Sequence, residues 1–180
     1  MEIIDDFLDQ EDFDKLQTFM MGQELFWNYL DGKDTGRGIL FEHKDSDSEE
    51  ENRNKFMFFH MFYDEAAPRS PFIEQMNPIL NKLNPVSIFR IKANLLTKTP
   101  TIVENEFHVD LTDLSEEKSK QVTTSIFYVN TNNGYTEFED GTKVESVANR
   151  LVTFSLNMKH RGTSCTDEKT RVVINFNYFK

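Results

Sequence analysis

Polar and apolar positions change their period along this chain. Over residues 3 to 30, IIDDFLDQEDFDKLQTFMMGQELFWNYL, apolar groups recur at Phe13, Leu16 and Met20 and again at Leu25 and Tyr29. That is helical spacing, and Asp9 or Asp12 is placed to cap a helix. Trp27 and Tyr29 read as core or cover residues, because aromatic side chains at such spacing serve burial. Residues 70 to 85, SPFIEQMNPILNKLNP, read as a short helix bounded by prolines. From residue 86 onward the pattern shortens. VSIFRIKANLL, NEFHVDL, QVTTSIFYVN, YTEFEDGTKV, RLVTFSLNMKH and RVVINFNYF are β-rich segments, divided by turn signals such as TNNG (131 to 134) and EDG (139 to 141). Evenly spaced strands without intervening helices predict a double-sheet jelly roll or barrel, so the fold is mainly β with N-terminal helices.

Between these regions, residues 42 to 55, EHKDSDSEEENRNK, carry too little apolar material to pack. They separate GRGILF from KFMFFHMFY, which predicts a hairpin with an exposed acidic tip. His60, inside the aromatic run, reads as a satisfied core or edge histidine, since no acidic residue stands at a useful offset in that strand.

Composition sets the limits. The chain has 180 residues, 38% of them hydrophobic, and 17 phenylalanines, enough for one domain with a sizeable core. We expect a single domain over 1–180, with 1–85 as a helical and hairpin support region and 86–180 as the jelly-roll core. No apolar stretch reaches 18 residues, and the N-terminus is acidic where a secretory signal is basic and then apolar. The expectation is a soluble, cytoplasmic protein with no membrane partner. A net charge of -11 opposes both the phosphate backbone and anionic lipid, which disfavours nucleic acid as a partner. Cys165 is the single cysteine, so an internal disulfide and a four-cysteine zinc site are excluded. It reads as a passive surface thiol in the loop GTSCTDEKT.

The chemistry concentrates in NEFHVDLTD. On a strand, residues two apart point the same way, so His108 and Asp110 share one face and Phe107, Val109 and Leu111 the other. H-x-D alone is a weak signal, and a third ligand is required. His160, in NMKHRGTS at the end of another strand, is the candidate; a jelly roll brings it back beside the pair. Two histidines and one carboxylate on one octahedral face, with three positions open, are the facial triad of non-haem Fe(II) oxygenases. A closed zinc site wants a fourth protein ligand, and none is obvious. In RVVINFNYF, Val172, Ile174, Phe176 and Tyr178 share one face, while Arg171, Val173, Asn175 and Asn177 share the other. The second face reads as the floor of a polar cavity, where Arg171 can clamp a carboxylate with two parallel hydrogen bonds. The competing reading has Arg171 reaching solvent or pairing with Asp167 or Glu168.

HVD, TSIFYVNTNNGYTEFEDG, LVTFSLNMKHRGT and TRVVINFNYF, in that order over roughly residues 86 to 179, resemble the double-stranded β-helix (a cupin-like jelly roll) of the Fe(II)/2-oxoglutarate-dependent oxygenases. The resemblance is to the prolyl 4-hydroxylase-like group, which includes small microbial and phage-encoded members; a phage-encoded enzyme would act in the host cytoplasm. It implies His108, Asp110 and His160 as iron ligands, which are the catalytic residues, and Arg171 as partner of the distal carboxylate of 2-oxoglutarate. It implies Tyr128 as a second contact to that carboxylate. Lys169 is a rival, because some members use lysine, but the strand signature begins at Arg171. Asn175 and Asn94 are candidates for the pocket lining, with backbone capping as the alternative. The place of Asn177 is held in some relatives by a bulky aromatic near the substrate, so no particular peptide substrate carries over. The implied cofactors are Fe(II) and 2-oxoglutarate as cosubstrate, with ascorbate a candidate accessory reductant.

The implied activity is a dioxygenase that hydroxylates a C–H bond, with proline in a protein or peptide favoured and the GRGILF to KFMFFHMFY hairpin as a candidate substrate lid. Two alternatives stand beside it: a same-fold oxygenase acting on a nucleobase or small metabolite, and a jelly-roll binding protein without turnover.

Overall fold

The computed structural model describes residues 1–31, 55–112 and 114–180. The GRGILF segment and the acidic run up to residue 54 lie outside the described residues, and with them the expected hairpin tip and lid. In chain order the strands are β1 (Glu2–Ile4), β2 (Asn28–Asp31), β3 (Phe56–Asp64), β4 (Ala67–Pro68), β5 (Ser87–Thr97), β6 (Val122–Tyr128), β7 (Tyr135–Phe138), β8 (Lys143–Glu145), β9 (Arg150–Ser155), β10 (His160–Gly162) and β11 (Thr170–Phe179). The helices are α1 (Gln10–Met21), α2 (Asn77–Leu83), preceded by a 3-10 turn at Ile73–Met76, and the short α3 (Glu116–Ser119).

The strands form two antiparallel sheets. The main sheet runs β1-β9-β6-β11-β5-β3-β2, with β4 attached to β3, and the small sheet runs β10-β7-β8. This is the jelly roll expected from the strand spacing. β11 lies between β5 and β6 and is buried on both faces, one of them apolar and the other carrying Arg171, Asn175 and Asn177. Its Val172, Ile174 and Phe176 meet Phe13, Leu16 and Met20 of α1 and Ile79 of α2 in one core. A second core lies on the opposite face, where Ile126, Tyr128 and Val173 of the main sheet meet Phe138 and Val144 of the small sheet.

The helical reading of residues 3 to 30 is correct only for Gln10–Met21. Asp9 holds the N-cap position without a side-chain hydrogen bond, and Asp6 turns the chain with φ 50° just before it. On either side the backbone joins the main sheet: Glu2–Ile4 pairs with β9, and Asn28–Asp31 pairs with β3. Sheet pairing satisfies every second backbone group on these segments, and it overrides their helical spacing. Leu25 is buried, whereas Tyr29 is 58% exposed and stacks against Phe56 and Phe58 on the sheet surface.

Three further expectations change. NEFHVDL forms no regular strand; only His108 bridges to His160 and Glu104 to Thr163. RLVTFSLNMKH is two strands, β9 in the main sheet and β10 in the small one, because the turn closed by Met158 N–H on Ser155 O moves the chain across. Cys165 is buried, not at the surface, and burial pushes its thiol up, so it remains unreactive. His60 is buried as expected, its Nδ1–H donating to Phe26 O at 2.8 Å and its Nε2 2.7 Å from Ser70 Oγ. YTEFEDGTKV forms the β7–β8 hairpin, turned at Gly141 with φ 87°.

Asn149 ties the N-terminus to the sheet. Its side chain accepts from Leu8 N–H at 2.8 Å and donates to Leu8 O at 2.9 Å, and its φ is 62°. Asn149→Ala loses both bonds and places a Cβ-bearing residue without local hydrogen bonding in the left-handed region, so we expect about 3 kcal/mol of destabilisation. Asn149→Gly keeps the backbone conformation free of strain and should be less damaging by about 1 kcal/mol. Urea unfolding of the two variants checks this; equal, small losses would contradict it.

Candidate functional site

The segment from Asn105 to Asp110 runs along the small sheet. His108 and His160 exchange both backbone hydrogen bonds, N to O at 3.0 Å each way, so their rings leave the two chains side by side with centroids 4.9 Å apart. His108 Nδ1 lies 3.0 Å from Glu106 O, and His160 Nδ1 lies 3.1 Å from Met158 O. A carbonyl can only accept, so both Nδ1 atoms carry the proton and both Nε2 lone pairs are free for a ligand. Burial, reinforced by His160, pushes His108 down to about 4, which keeps its imidazole neutral at neutral pH.

Asp110 closes the group. The ligand atoms of His108, Asp110 and His160 all lie within 4.8 Å of one another, with His160 Nε2 3.8 Å from Asp110 Oδ1. The main sheet fixes the carboxylate from below. Asn177 Nδ2 donates to Oδ2 at 2.9 Å and to Thr124 Oγ1 at 3.0 Å; Asn175 Nδ2 lies 3.4 Å from Oδ1, and Arg90 Nη2 lies 3.5 Å from it. Burial works to raise the Asp110 carboxyl, but His160, Arg90, His108 and the Asn177 bond outweigh it and hold the group below the usual carboxylate range. The result is one carboxylate oxygen and two imidazole nitrogens on one side of a point. That set fits a borderline divalent ion such as Fe(II), with no fourth side-chain ligand in the cluster to close the shell.

A pocket opens beside the triad, lined by both histidines and by Arg171, Thr136, Asn105, Asn94 and Asn175 among polar groups. Arg171 is 1% exposed. Its Nε donates to Ser146 Oγ at 2.7 Å and its Nη2 to Thr136 Oγ1 at 3.2 Å, and no carboxylate lies within ion-pair distance among the described residues. Burial lowers its pKa, yet guanidinium stays charged, so the cation stands uncompensated inside the protein. Gly134 permits this placement: a Cβ there would meet Arg171 Cδ and Ser164 O at 2.6 Å. Tyr128 O–H donates to Thr136 Oγ1 at 2.8 Å. With both lone pairs engaged by Tyr128 and Arg171, the Thr136 hydroxyl hydrogen is available to an acceptor in the pocket.

The structure therefore brings together His108, Asp110, His160, Arg171, Asn175 and Asn94. Arg171 neither reaches solvent nor pairs with Asp167 or Glu168, and the rival Lys169 is exposed. Tyr128 is buried behind Thr136 and reaches the pocket through it. Thr136, Arg90, Thr124 and the anchoring part played by Asn177 escaped the sequence reading. The polar alternation Arg90, Lys92, Asn94 within FRIKANLL was the available signal, since these residues stand opposite Asn177, Asn175 and Val173 on β11.

No protein-family model matches the chain, and no curated protein matches its sequence. Solved structures do match in fold. A prolyl hydroxylase of Trichoplax adhaerens, solved with a hypoxia inducible factor oxygen degradation domain peptide, aligns with TM-score 0.65 and 12% identity over 99% of this chain and 82% of that one. The viral collagen prolyl hydroxylase of Paramecium Bursaria Chlorella virus-1 aligns with TM-score 0.54 and 14% identity, covering 99% and 89%. The non-heme alpha ketoglutarate dependent epimerase SnoN of nogalamycin biosynthesis aligns with TM-score 0.59 and 10% identity, covering 99% and 76%. The chain thus has the fold of the Fe(II)/2-oxoglutarate oxygenases, prolyl hydroxylases included. Among the described residues no helix is long and apolar enough to cross a membrane.

Outer partners of a ligating carboxylate set metal affinity, so Asn177→Ala, which frees Asp110 Oδ2, should weaken divalent-metal binding about 10–100-fold. Competition titration of Co(II) against a chelator measures this; unchanged affinity in a folded variant would contradict it.

Proposed function

We propose that the protein is an Fe(II)- and 2-oxoglutarate-dependent dioxygenase that hydroxylates a C–H bond, most simply a prolyl residue of a protein or peptide. The observation that carries the reading is the uncompensated Arg171 cation buried in the pocket beside the His108, Asp110 and His160 cluster. A metal site alone would not require it, and a binding protein without an anionic ligand would pay several kcal/mol to bury it. The proline preference rests on two of the matched structures being prolyl hydroxylases. The matched epimerase marks how much reaction variety this fold carries.

In this reading His108, Asp110 and His160 would hold the ion beside the pocket. Bound Fe(II) with 2-oxoglutarate supplies the oxidising chemistry, in which dioxygen is consumed, the oxo-acid is decarboxylated to succinate and one oxygen atom enters the substrate C–H bond. Arg171 pairs with the distal carboxylate of the oxo-acid, and Thr136, oriented by Tyr128, donates a further hydrogen bond to it. Asn94 and Asn175, whose buried Oδ1 atoms have no partner, line the same space. Ile126, Val173 and Leu96 make the rest of the wall apolar and limit water around the oxo-acid. No side-chain general base is required. Ascorbate is the reductant to include in assays, and residues 1–180 are read as one domain.

Succinate release by anaerobically reconstituted protein, started with oxygen, tests the reading. Wild type should turn over 2-oxoglutarate slowly without substrate, His108→Ala should not, and Arg171→Gln should need about 100-fold more 2-oxoglutarate, the scale of losing one partner of a buried charge pair. Wild type equal to His108→Ala, together with no binding of Fe(II) or 2-oxoglutarate, would overturn it.

A further inference from the structure

Arg90 and Lys92 occupy the same face of β5 as Asn94, farther along the sheet from Arg171. Strand register places Leu96 opposite Arg171, Asn94 opposite Val173, Lys92 opposite Asn175 and Arg90 opposite Asn177. At about 3.4 Å per residue, the two cations stand roughly 13–20 Å along the sheet from the Arg171 position. A carboxylate bound by Arg171 is therefore out of their reach, and they flank the triad from the other side.

Their charge has little to meet. Arg90 is 8% exposed; its Nη2 is 3.5 Å from Asp110 Oδ1, and its buried Nε has no hydrogen-bond partner. Lys92 is half-buried, makes no ion pair among the described residues, and rests its Nζ 5.1 Å from the Phe59 ring centre. Burial, with Arg90 beside it, pushes the Lys92 ammonium down to about 8. Among the described residues the carboxylates that act at this face are Asp110 and, on Lys92, Asp64, and Asp110 is already shared between Arg90, Asn177 and the triad. A divalent ion on the triad adds positive charge, and an oxo-acid bound at Arg171 spends its distal carboxylate there. Among the described residues Lys92 has no ion pair and Arg90 has only a carboxylate it shares, and two such cations at the inner sheet face are costly unless a ligand completes them.

We propose that the substrate oxidised at this site carries a carboxylate near the reacting carbon and that Arg90 and Lys92 receive it; this rests on the oxygenase reading of the pocket. A carboxylate suits the place better than a phosphate. It is planar, matches the guanidinium fork, and brings a single negative charge against the nearby Asp110. The rest of the substrate is apolar where it meets this face, because Phe59 and Met61 of β3 stand opposite Asn94 and Lys92 in register. An acidic residue or chain terminus beside the oxidised position of a peptide, or a small amphiphilic acid, satisfies both features.

The test uses the full chain loaded with Zn(II) and saturating 2-oxoglutarate, so that no turnover occurs. Binding of isocaproate, isocaproamide and isopentyl phosphate is followed by ligand-observed NMR. Isocaproate should bind at least about tenfold more tightly than the isosteric amide, and Lys92→Met and Arg90→Lys should each remove most of that preference. Tighter binding of the phosphate overturns the carboxylate assignment. Equal binding of acid and amide, no saturable binding of the acid at millimolar concentration, or a preference untouched by both substitutions overturns the proposal. So does isocaproate binding that appears only in a parallel sample without 2-oxoglutarate, since the acid would then sit on Arg171. Zn(II) and 2-oxoglutarate binding are read on the same samples: if they bind while acid and amide do not differ, this inference alone falls, and if they do not bind, the oxygenase reading falls with it.

Discussion

Burial of β11 on both faces is the constraint on which the rest of the structure depends. The strand sits between β5 and β6, with helices over one side and the small sheet over the other. An apolar side chain can answer that burial by packing, and Val172, Ile174 and Phe176 do. A polar one needs a partner inside the protein, and leaving it unmet costs about 1–3 kcal/mol or more for a charge. Arg171, Asn175 and Asn177 occupy that position on the inner face. Asn177 is met by Asp110 and Thr124, Asn175 in part by Asp110, and Arg171 by neutral hydroxyls and the face of the Tyr128 ring. One strand thus fixes the Asp110 carboxylate and leaves a cation at the other end of the same face.

Charge is distributed against the chain's overall sign. The surface carries the acidic excess in exposed pairs such as Lys15 with Glu11 and Lys120 with Glu116, which contribute little to stability. Among the described residues the inner face of the main sheet carries Arg90, Lys92 and Arg171, with Asp110 in an ion pair to Arg90 and Asp64 acting on Lys92. An anion that binds such an interior stabilises the fold, so in the proposed oxygenase reading ligand binding and folding stability are coupled.

Much of this was legible in the chain. The alternation of RVVINFNYF separated the two faces of β11 before any coordinates, because a strand buried on both sides still obeys the period of two. The turn signals placed the β7–β8 hairpin for the same local reason. His160 could be joined to His108 and Asp110 only by way of the expected jelly roll, since their meeting depends on a backbone bridge across 52 residues. The N-terminal strands were hidden because sheet edges recruit short segments through main-chain bonds, which leave no side-chain pattern. Thr136 was hidden for a different reason: its importance lies in receiving Tyr128 and Arg171 together, a property of register across two sheets. The paired amides and cations of FRIKANLL were visible as an alternation, and only the opposing Asn177 and Asp110 gave that alternation meaning.

The most direct measurement is an anaerobic equilibrium titration of the full chain with Fe(II), followed by 2-oxoglutarate, in wild type and Arg171→Gln. The account predicts one tight Fe(II) site in both proteins, and metal-dependent 2-oxoglutarate binding that is strong in wild type and weakened by about 2–5 kcal/mol in the variant. Wild-type protein that binds 2-oxoglutarate equally well with and without metal, or with and without the Arg171 guanidinium, would contradict it.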